Sequence, residues 1–395
     1  MGSSSSLKPL DFKGLLEEVK RVGKKVIAPA ADDVDEKARF PRESIDALRG
    51  LKLLSAYVPR DKGGMGLDIV QVAKLCEVLG HYCGSTAMIY AMHKIQVACI
   101  VHHTADSPYF KSYLKRLVAE QRLMASATTE VGIGGDLRSS LCAVEGDGPT
   151  FRLEKKAPVI SYGVDADDLM ITARRNASAA KSDQVHVLLH KDQYTLDPIS
   201  SWDTLGFRAT CSSGFNVASQ GQTDQVLPVP FADILSETMH PFAHITWSAL
   251  WSGIAADAVN KARQFVKKEA KRNIEMPPIS AIRLGELESI LQTMRNNIAV
   301  AAEDYKEMLI RGDKEAFSNF GFGIRTNNLK VTSSQQVVDI VGKAMLICGI
   351  SSYRNDSIHS LSRQIRDAYG AALMVNNDRI LLHNSTLLLM HKGES

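Results

Sequence analysis

The sequence predicts an α+β protein in which a small, mostly antiparallel β domain separates two helical regions. Apolar residues follow helical spacing up to about residue 122, short β-rich runs fill residues 123–238, and helical spacing returns over residues 239–395. We therefore expect an N-terminal all-α domain (1–122), a middle β domain (123–238) and a C-terminal helical bundle (239–395). The 395 residues, 45% hydrophobic and 23% charged, suffice for two or three packed layers.

Five helices are predicted before residue 122. The first carries apolar residues at helical spacing: Leu15, Leu16, Val19, Val22 and Val26. We expect Pro29 to end it, because proline cannot donate to a helical ladder. The later four helices are expected from about residue 41 and over 69–80, 85–100 and 109–120. The 85–100 helix is apolar on nearly every side, so we expect its His93 to be a core histidine rather than a catalytic one.

Short β-rich runs between glycine and aspartate turns define the middle domain. They are expected at 150–153, 169–172, 185–189, 215–218 and 225–229. In the last domain, four helices are expected over 246–271, 282–311, 332–348 and 376–390. Four consecutive helices of this kind favour an antiparallel bundle.

Composition narrows the class of protein. The formal charge of +3 and the pI near 8.4 are too mild to indicate a nucleic-acid partner. The six cysteines form no C-x-x-C pair and have no metal-ligand spacing, so we expect reduced thiols, no metal site and a cytoplasmic location. The chain contains no run of 18 apolar residues, so no membrane-spanning helix is expected.

The stretch from Leu123 to Asp136 has the most functional content. Gly132, Gly134 and Gly135 permit positive φ and the close approach of a flat ligand. The preceding threonines, Thr128 and Thr129, offer hydroxyl and backbone groups to a polar ring edge. An ordinary β-turn between two strands is the alternative explanation for the stretch.

This stretch resembles the T-E-P-G-A-G-S-D segment of the acyl-CoA dehydrogenase family. Here Val131 replaces the family proline, and Gly135 replaces the family serine. The resemblance implies that Thr128, Thr129 and Gly134 contact flavin and that Gly135 faces the substrate. It also implies the acyl-CoA dehydrogenase fold over essentially the whole chain.

Other segments carry the same resemblance. Residues 57–66 resemble the family's P-x-x-x-G-G-x-G loop, and 202–213 resemble W-D-x-L-G-x-R-A-T-x-S. Residues 155–167 lie where the family has K-x-W-I-T-N-G-x-x-A-D, so Ile160 and Ser161 are implied to face the flavin, although the family tryptophan is missing.

Three further positions are implied to hold the flavin dinucleotide. Arg272 corresponds to the family arginine on the diphosphate, a group suited to a guanidinium fork. Gly349 is the one glycine left in the place of the family's G-G-x-G turn. Asn376 offers an amide to the adenosine half of the cofactor.

The family's catalytic carboxylate is missing. Aligning Arg363 and Arg379 with the family sequence without a gap places Ala372 at the glutamate that removes the α proton of the thioester. The alternative family position falls near Thr246 and Trp247, which are not acidic. The remaining candidates for a base are His240, His244 and Asp378.

Three functions remain open on this evidence. The first is acyl-thioester oxidation with a base from elsewhere, on a coenzyme A or carrier-protein thioester. The second is the flavin-dependent monooxygenase activity of the same fold, which uses reduced flavin and O2 and needs no α-proton base. The third is a flavin- or thioester-binding relative without dehydrogenase activity.

Candidate substrate-binding residues surround the vacant base position. Trp247 and Trp251 lie one helical turn apart and share a face, where they would shorten an acyl pocket. An ordinary bundle core would also explain both tryptophans. Tyr369 flanks Ala372 on the other side.

The resemblance also implies cofactors and partners. FAD is the expected cofactor, with reduced FMN or FAD supplied by a reductase as the alternative. We expect a homo-oligomer (dimer or tetramer), an electron-transfer partner or flavin reductase, and an acyl carrier protein as one source of substrate. Neither nucleic acid nor membrane is expected as a partner.

Overall fold

The computed structural model describes residues 11–104, 106–146, 148–271 and 278–390. A helical region, a β region and a second helical region follow one another along the chain, as the sequence predicted. One apolar core runs through all three, from Val19 in the first helix to Ala371 near the end.

The described residues of the N-terminal region form six α-helices. They are α1 (Phe12–Val22), α2 (Ala28–Glu36), α3 (Arg42–Gly50), α4 (Ile69–Tyr82), α5 (Gly84–His103) and α6 (Pro108–Glu120). The prediction that Pro29 ends the first helix is wrong. A π-helical turn over Gly23–Ile27 joins α1 to α2, and Pro29 lies in the first turn of α2, where its missing N–H is tolerated.

Helix α5 is the buried helix of this region. Nearly all of its side chains are inaccessible, because the sequence is apolar around its whole circumference. His93 is a core histidine as predicted: its Nε2 lies 2.7 Å from the Leu54 carbonyl oxygen, and its Nδ1 accepts from the Met124 amide at 3.0 Å. Burial lowers the pKa of His93 well below its ordinary value, which keeps the ring neutral.

The β region consists of two three-stranded sheets. Its strands are β1 (Met124–Ala127), β2 (Thr150–Ala157), β3 (Asp168–Arg174), β4 (Gln184–His190), β5 (Tyr194–Ser200) and β6 (Gly214–Gln222). One sheet has the order β1-β3-β4 and the other β2-β6-β5. Every pair is antiparallel except β1 with β3, where Ala125 pairs with Leu169.

Two strand predictions were wrong. The stretch 225–229 forms no strand, and only an isolated bridge joins Val226 to Val187. Strand β5 was missed because most of its residues are exposed and it carries a proline, which is typical of an edge strand.

The C-terminal region is helical from Phe231 onward, earlier than the boundary at 239 drawn from the sequence. Its helices are α7 (Phe231–Ile234), α8 (His240–Ala270), α9 (Ile279–Arg311), α10 (Lys314–Phe317), α11 (Phe320–Cys348), α12 (Ile350–Tyr353), α13 (Ser362–Leu373) and α14 (Asn377–Met390). A π-helical turn over Leu235–Met239 joins α7 to α8.

Helix α11 begins twelve residues before the predicted start at 332, at Phe320. Its first half buries polar side chains, among them Asn327, Lys330 and Ser333. Those residues interrupt the apolar stripe from which a helix is recognised in a sequence. A buried polar face is therefore the feature that the periodicity concealed.

The signature loop 202–213 docks the β region onto the helices. Gly206 lies against the backbone of α13, and a Cβ added there would overlap the Arg366 carbonyl oxygen. The Phe207 amide donates to Asp367 Oδ1 at 2.6 Å, and Arg208 donates to the Asp35 carbonyl oxygen at 3.0 Å. Burial raises the pKa of Asp367 to about 6. These contacts fix the β region relative to α2 and α13.

Two composition-based expectations can be compared with the described residues. All six cysteines are free thiols, and burial raises the pKa of each. Among the described residues, no helix combines the length and apolar character needed to cross a membrane.

Candidate active site

The two sequence segments that resemble flavin-facing elements lie side by side. Thr129 Oγ1 donates to the Val159 carbonyl oxygen at 3.2 Å, and the Val131 amide donates to the Lys156 carbonyl oxygen at 2.9 Å. The Thr128 carbonyl oxygen accepts from Thr172 Oγ1 at 3.3 Å. These bonds hold the glycine-bearing segment against the start of the 155–167 segment, so the residues of both meet at one surface.

The glycines leave this surface open. Gly132, Gly134 and Gly135 adopt φ of 96°, 61° and 78°, which L side chains rarely adopt. A Cβ at Gly134 would meet nothing within 4 Å. The positive φ values are those that the glycines of the sequence permit, and the backbone at Gly134 has no side chain packed over it.

A buried carboxylate, that of Glu130, anchors the glycine-bearing segment to the protein interior. Glu130 accepts from the Ser140 hydroxyl at 2.8 Å and from the amides of Leu141 and Cys142 at 3.0 and 2.8 Å. The ammonium group of Lys155 lies 3.9 Å from Glu130 and is itself fully buried. Glu130, the acid within the T-T-E-V-G sequence, is thus engaged inside the protein, and its role is to fold residues 131–142 back onto β2.

Ser161 ends a chain of three hydroxyl groups. Thr210 Oγ1 donates to the Phe207 carbonyl oxygen at 2.8 Å, and Ser212 Oγ lies 2.8 Å from the same hydroxyl. Ser161 Oγ lies 2.8 Å from Ser212 Oγ. The oxygen of the Ser161 hydroxyl can accept a hydrogen bond from an N–H group. Ile160, its neighbour, is fully buried.

Helix α14 closes the surface from the bundle side. Arg379, in its first turn, donates to the Gly134 carbonyl oxygen. A Cβ at Gly135 would overlap the same guanidinium group. Arg138 and His383 add further basic side chains here, with Arg138 Nη2 3.4 Å from His383 Nε2. The glycine segment and the bundle therefore meet at a basic rim.

The connection between α13 and α14 lies beside this rim and contains no acid. It consists of Met374, Val375 and Asn376. Ala372, the residue that alignment placed at the family glutamate, lies in the last turn of α13 rather than in the connection. Asn376 Oδ1 accepts from the amides of Asp378 and Arg379 at 2.8 and 3.4 Å, which makes it the cap of α14. Asp378 is exposed in the first turn of that helix.

A buried lysine contacts the connection from below, and the sequence reasoning did not find it. Lys330 Nζ, on α11, donates to the Val375 carbonyl oxygen at 2.9 Å and to Asn377 Oδ1 at 2.7 Å. Its ammonium group lies 6.0 Å from the centroid of the Trp251 ring. Burial lowers the pKa of Lys330 to about 8. No signal marked it in the sequence, because the helix predicted there began at residue 332, after Lys330.

The two candidate histidines lie on α8, where His244 is buried and His240 is partly buried. His240 Nε2 lies 2.8 Å from Asn327 Oδ1, which can only accept, so that nitrogen carries the proton. His244 Nδ1 likewise donates to the Thr326 carbonyl oxygen at 3.1 Å. Burial lowers the pKa of His240 to about 4 and that of His244 further. Both rings are neutral at pH 7, and each retains one unprotonated nitrogen.

The tryptophans continue the same face of α8. His244 and Trp247 rings lie 6.1 Å apart, and Trp251 follows one turn later. Both tryptophans belong to the apolar core, and neither indole N–H has a partner among the described residues. Tyr369 is more than half exposed on α13, away from that core.

The structure says little about Arg272 and Gly349, two of the residues predicted to hold the flavin dinucleotide. Arg272 lies outside the described residues. Gly349 ends α11 with φ 58°, but its amide already donates to the Met345 carbonyl oxygen at 2.8 Å. The helix end uses this amide, and a role for Gly349 in cofactor binding stays a prediction.

Comparisons with known proteins agree with this architecture. The model of the acyl-CoA dehydrogenase N-terminal domain matches residues 11–121. The probable acyl-CoA dehydrogenase YngJ of Bacillus subtilis is 24% identical over 362 residues, which is 89% of this chain and 90% of that protein. The short-chain-specific acyl-CoA dehydrogenase of Clostridium acetobutylicum is 21% identical over 359 residues, with 89% and 90% covered.

Solved structures share the fold. Butyryl-CoA dehydrogenase from Megasphaera elsdenii superposes with a TM-score of 0.82 at 19% identity, covering 97% of this chain and 100% of that chain. FMN-bound TdsC from Paenibacillus sp. A11-2, elsewhere described as dibenzothiophene monooxygenase, has a TM-score of 0.83 at 17% identity, covering 96% and 98%. Residues 11–121 therefore match the acyl-CoA dehydrogenase N-terminal domain, and the whole-length relatives and solved structures show a flavin-dependent oxidoreductase with the acyl-CoA dehydrogenase fold.

Proposed function

We propose that the protein is a flavin-dependent oxidoreductase of acyl-CoA dehydrogenase type that acts on an acyl thioester, bound to coenzyme A or to a carrier protein. The main support is one surface of the protein. There Thr129 and Val131 hydrogen-bond to the 155–167 segment, and Arg379 hydrogen-bonds to Gly134. The whole-length relatives are themselves described as acyl-CoA dehydrogenases, which supports the same reaction class.

The residues present fit a flavin. The open backbone at Gly134 admits a flat ring, the Ser161 lone pair can accept from a ring N–H, and the Arg138–Arg379 rim suits phosphate. When bound, FAD supplies the acceptor for the hydride that leaves the β carbon. The chain must supply a proton acceptor at the α carbon. His240 and His244 each offer an unprotonated nitrogen, but their low pKa values make them weak bases.

The first test is anaerobic reduction of the purified protein by saturated acyl thioesters. We expect stoichiometric FAD in the visible spectrum and its bleaching by a short-chain thioester, because Trp247 and Trp251 fill the α8 face with bulky rings. The free acid is the matched control, since it lacks the thioester that acidifies the α proton. Bound FAD that no thioester reduces at any pH between 6 and 9 would exclude the dehydrogenase activity.

A second function is favoured by one observation. The Ser161 hydroxyl oxygen can accept a hydrogen bond, and reduced flavin carries an N–H at N5 that oxidised flavin lacks. Together with a connection that has no acid, this supports a monooxygenase that takes reduced FMN or FAD from a reductase. Such a protein would bind reduced flavin at least tenfold more tightly than oxidised flavin, and it would consume O2 only when a reductase and NADH are present.

A carboxylate placed in the connection tests the vacant base. We expect Val375→Glu to raise the rate of anaerobic thioester oxidation about 100-fold, since a positioned general base contributes 10²–10⁴. Val375→Gln is the matched control, because it has the same shape without a basic oxygen. Ala372→Glu, one turn earlier in α13, should gain less. Equal rates for the two variants at Val375 would show that a missing base is not what limits the reaction.

We also propose that the protein is a homo-oligomer. The described part of the chain exposes large apolar side chains on α14, namely Leu381, Leu382, Leu388, Leu389 and Met390. An apolar helix face of this kind is usual at an interface between subunits. Sedimentation at micromolar concentration, with Leu382→Glu as the disrupting variant, tests the assembly. An electron-transfer partner or flavin reductase and an acyl carrier protein remain part of the proposal.

A further inference from the structure

The connection between α13 and α14 is strained. Val375 adopts φ 43°, a conformation that is an outlier for a β-branched residue. Backbone of this kind costs about 1–3 kcal/mol and persists only where the surroundings impose it. The strain turns the Val375 carbonyl inward while 41% of the residue stays exposed.

Lys330 supplies the contact that imposes this conformation. Its Nζ bonds both to the Val375 carbonyl oxygen and to Asn377 Oδ1. The orientation of the Asn377 amide is fixed by Ser334, since Asn377 Nδ2 donates to Ser334 Oγ at 3.0 Å and Ser334 Oγ donates to the Val331 carbonyl oxygen. The lysine thus ties α11 to both sides of Asn376.

No ion pair explains why this lysine is buried. Among the described residues, no carboxylate lies within salt-bridge distance of Lys330, and burial alone lowers its pKa. The side chains that face it are Trp251 and His244 on α8 and Asn377 on α14, and none of them is an acid. Burying an unpaired amine is costly, so its two hydrogen bonds are its compensation.

The connection held by Lys330 is linked to the candidate site through the first turn of α14. The first turn of α14 follows directly, and its Arg379 bonds to Gly134 in the glycine segment. The path from Lys330 to Gly134 therefore consists of the connection, one helical turn and one guanidinium group.

We propose that Lys330 is a positioning residue of the candidate site: by holding the strained α13–α14 connection, it places the first turn of α14, and with it Arg379, against the glycine segment. The catalytic meaning of the site rests on the proposed function, but the placement itself does not. The clamp survives deprotonation, because a neutral amine still has two N–H groups for its two acceptors.

Hydrogen exchange of the full chain without added ligand tests the placement. In Lys330→Met we expect the bonded amides of residues 376–380 and, within 132–136, the Asp136 amide that donates to the Ile133 carbonyl oxygen to exchange at least tenfold faster, while amides of α4 keep their rates. Lys330→Gln, which keeps donor groups on a shorter side chain, should show a smaller change. Lys343→Met is the matched control, because Lys343 is an exposed lysine of the same helix paired with Asp339.

Two further measurements separate positioning from simple core stability. Adding Val375→Gly to Lys330→Met should restore slow exchange in residues 132–136, since glycine accepts the positive φ without the clamp. In protein loaded with FAD, Lys330→Met should weaken flavin affinity at least tenfold, and the glycine variant should restore part of that loss.

Two outcomes would overturn the inference. One is a lowered global unfolding midpoint in Lys330→Met with unchanged exchange in residues 132–136. The other is unchanged exchange in residues 376–380. Wild-type protein that binds no flavin would count against the proposed function alone, because the exchange measurements do not need the cofactor.

Discussion

Replacing Glu130 by alanine is expected to lower the free energy of unfolding by about 3–5 kcal/mol, the cost of breaking a buried ion pair by removing one partner. Lys155 would lose its only nearby carboxylate among the described residues, and the Leu141 and Cys142 amides would lose their acceptors. Residues 131–142 would then leave β2, and we expect flavin affinity to fall with them. Urea unfolding and flavin titration measure the two effects.

The control for Glu130→Ala is Glu154→Ala on strand β2. Glu154 lies on the exposed side of the strand, so its loss should change the free energy of unfolding by less than about 0.5 kcal/mol. The free energy of unfolding of Glu130→Gln should lie between those of Glu130→Ala and Glu154→Ala. Glutamine keeps one acceptor oxygen, but its NH₂ group is a donor and would face the other donors of the site. Flavin loss in Glu130→Ala at wild-type stability would instead place Glu130 in direct contact with the ligand.

A pH effect on stability is expected at Asp367, where the β region docks onto α13. Its pKa is raised from 3.8 to about 6 by burial, so the folded protein holds this proton more tightly than the unfolded chain. The stabilising contribution is fully present below pH 3.8 and is lost as pH rises through about 6. The loss amounts to about 3 kcal/mol, at 1.36 kcal/mol per pKa unit.

Asp367→Asn removes this dependence. The amide oxygen of asparagine can still accept from the Phe207 amide, and the side chain never ionises. We therefore expect the free energy of unfolding of the variant, relative to wild type, to rise by about 2.4 kcal/mol between pH 4 and pH 7. Urea midpoints at intermediate pH values measure this difference. The exposed Asp304→Asn on α9 is the control, and a constant difference between Asp367→Asn and wild type would refute the assignment.

The order of the three regions could be predicted from the sequence because periodicity is a local property. The apolar spacing in α5 and α8 and the β-rich runs of β3 and β4 depend on residues only a few positions apart. Predictions failed where a longer-range contact decided the outcome. Strand β5 is stabilised by pairing with β6, and the first half of α11 is stabilised by polar partners on α8 and α14.

The sequence by itself determined that the glycine segment is present, that its threonines precede an open turn, and that residues 370–376 contain no acid. The tertiary structure decided that Glu130 faces Lys155, that Ser161 contacts Ser212, and that Lys330 contacts the Val375 carbonyl oxygen. Each of these contacts joins residues that are distant in the sequence. Hydrogen-bond direction and burial arise from such distant pairings, and no local pattern of residue types encodes them.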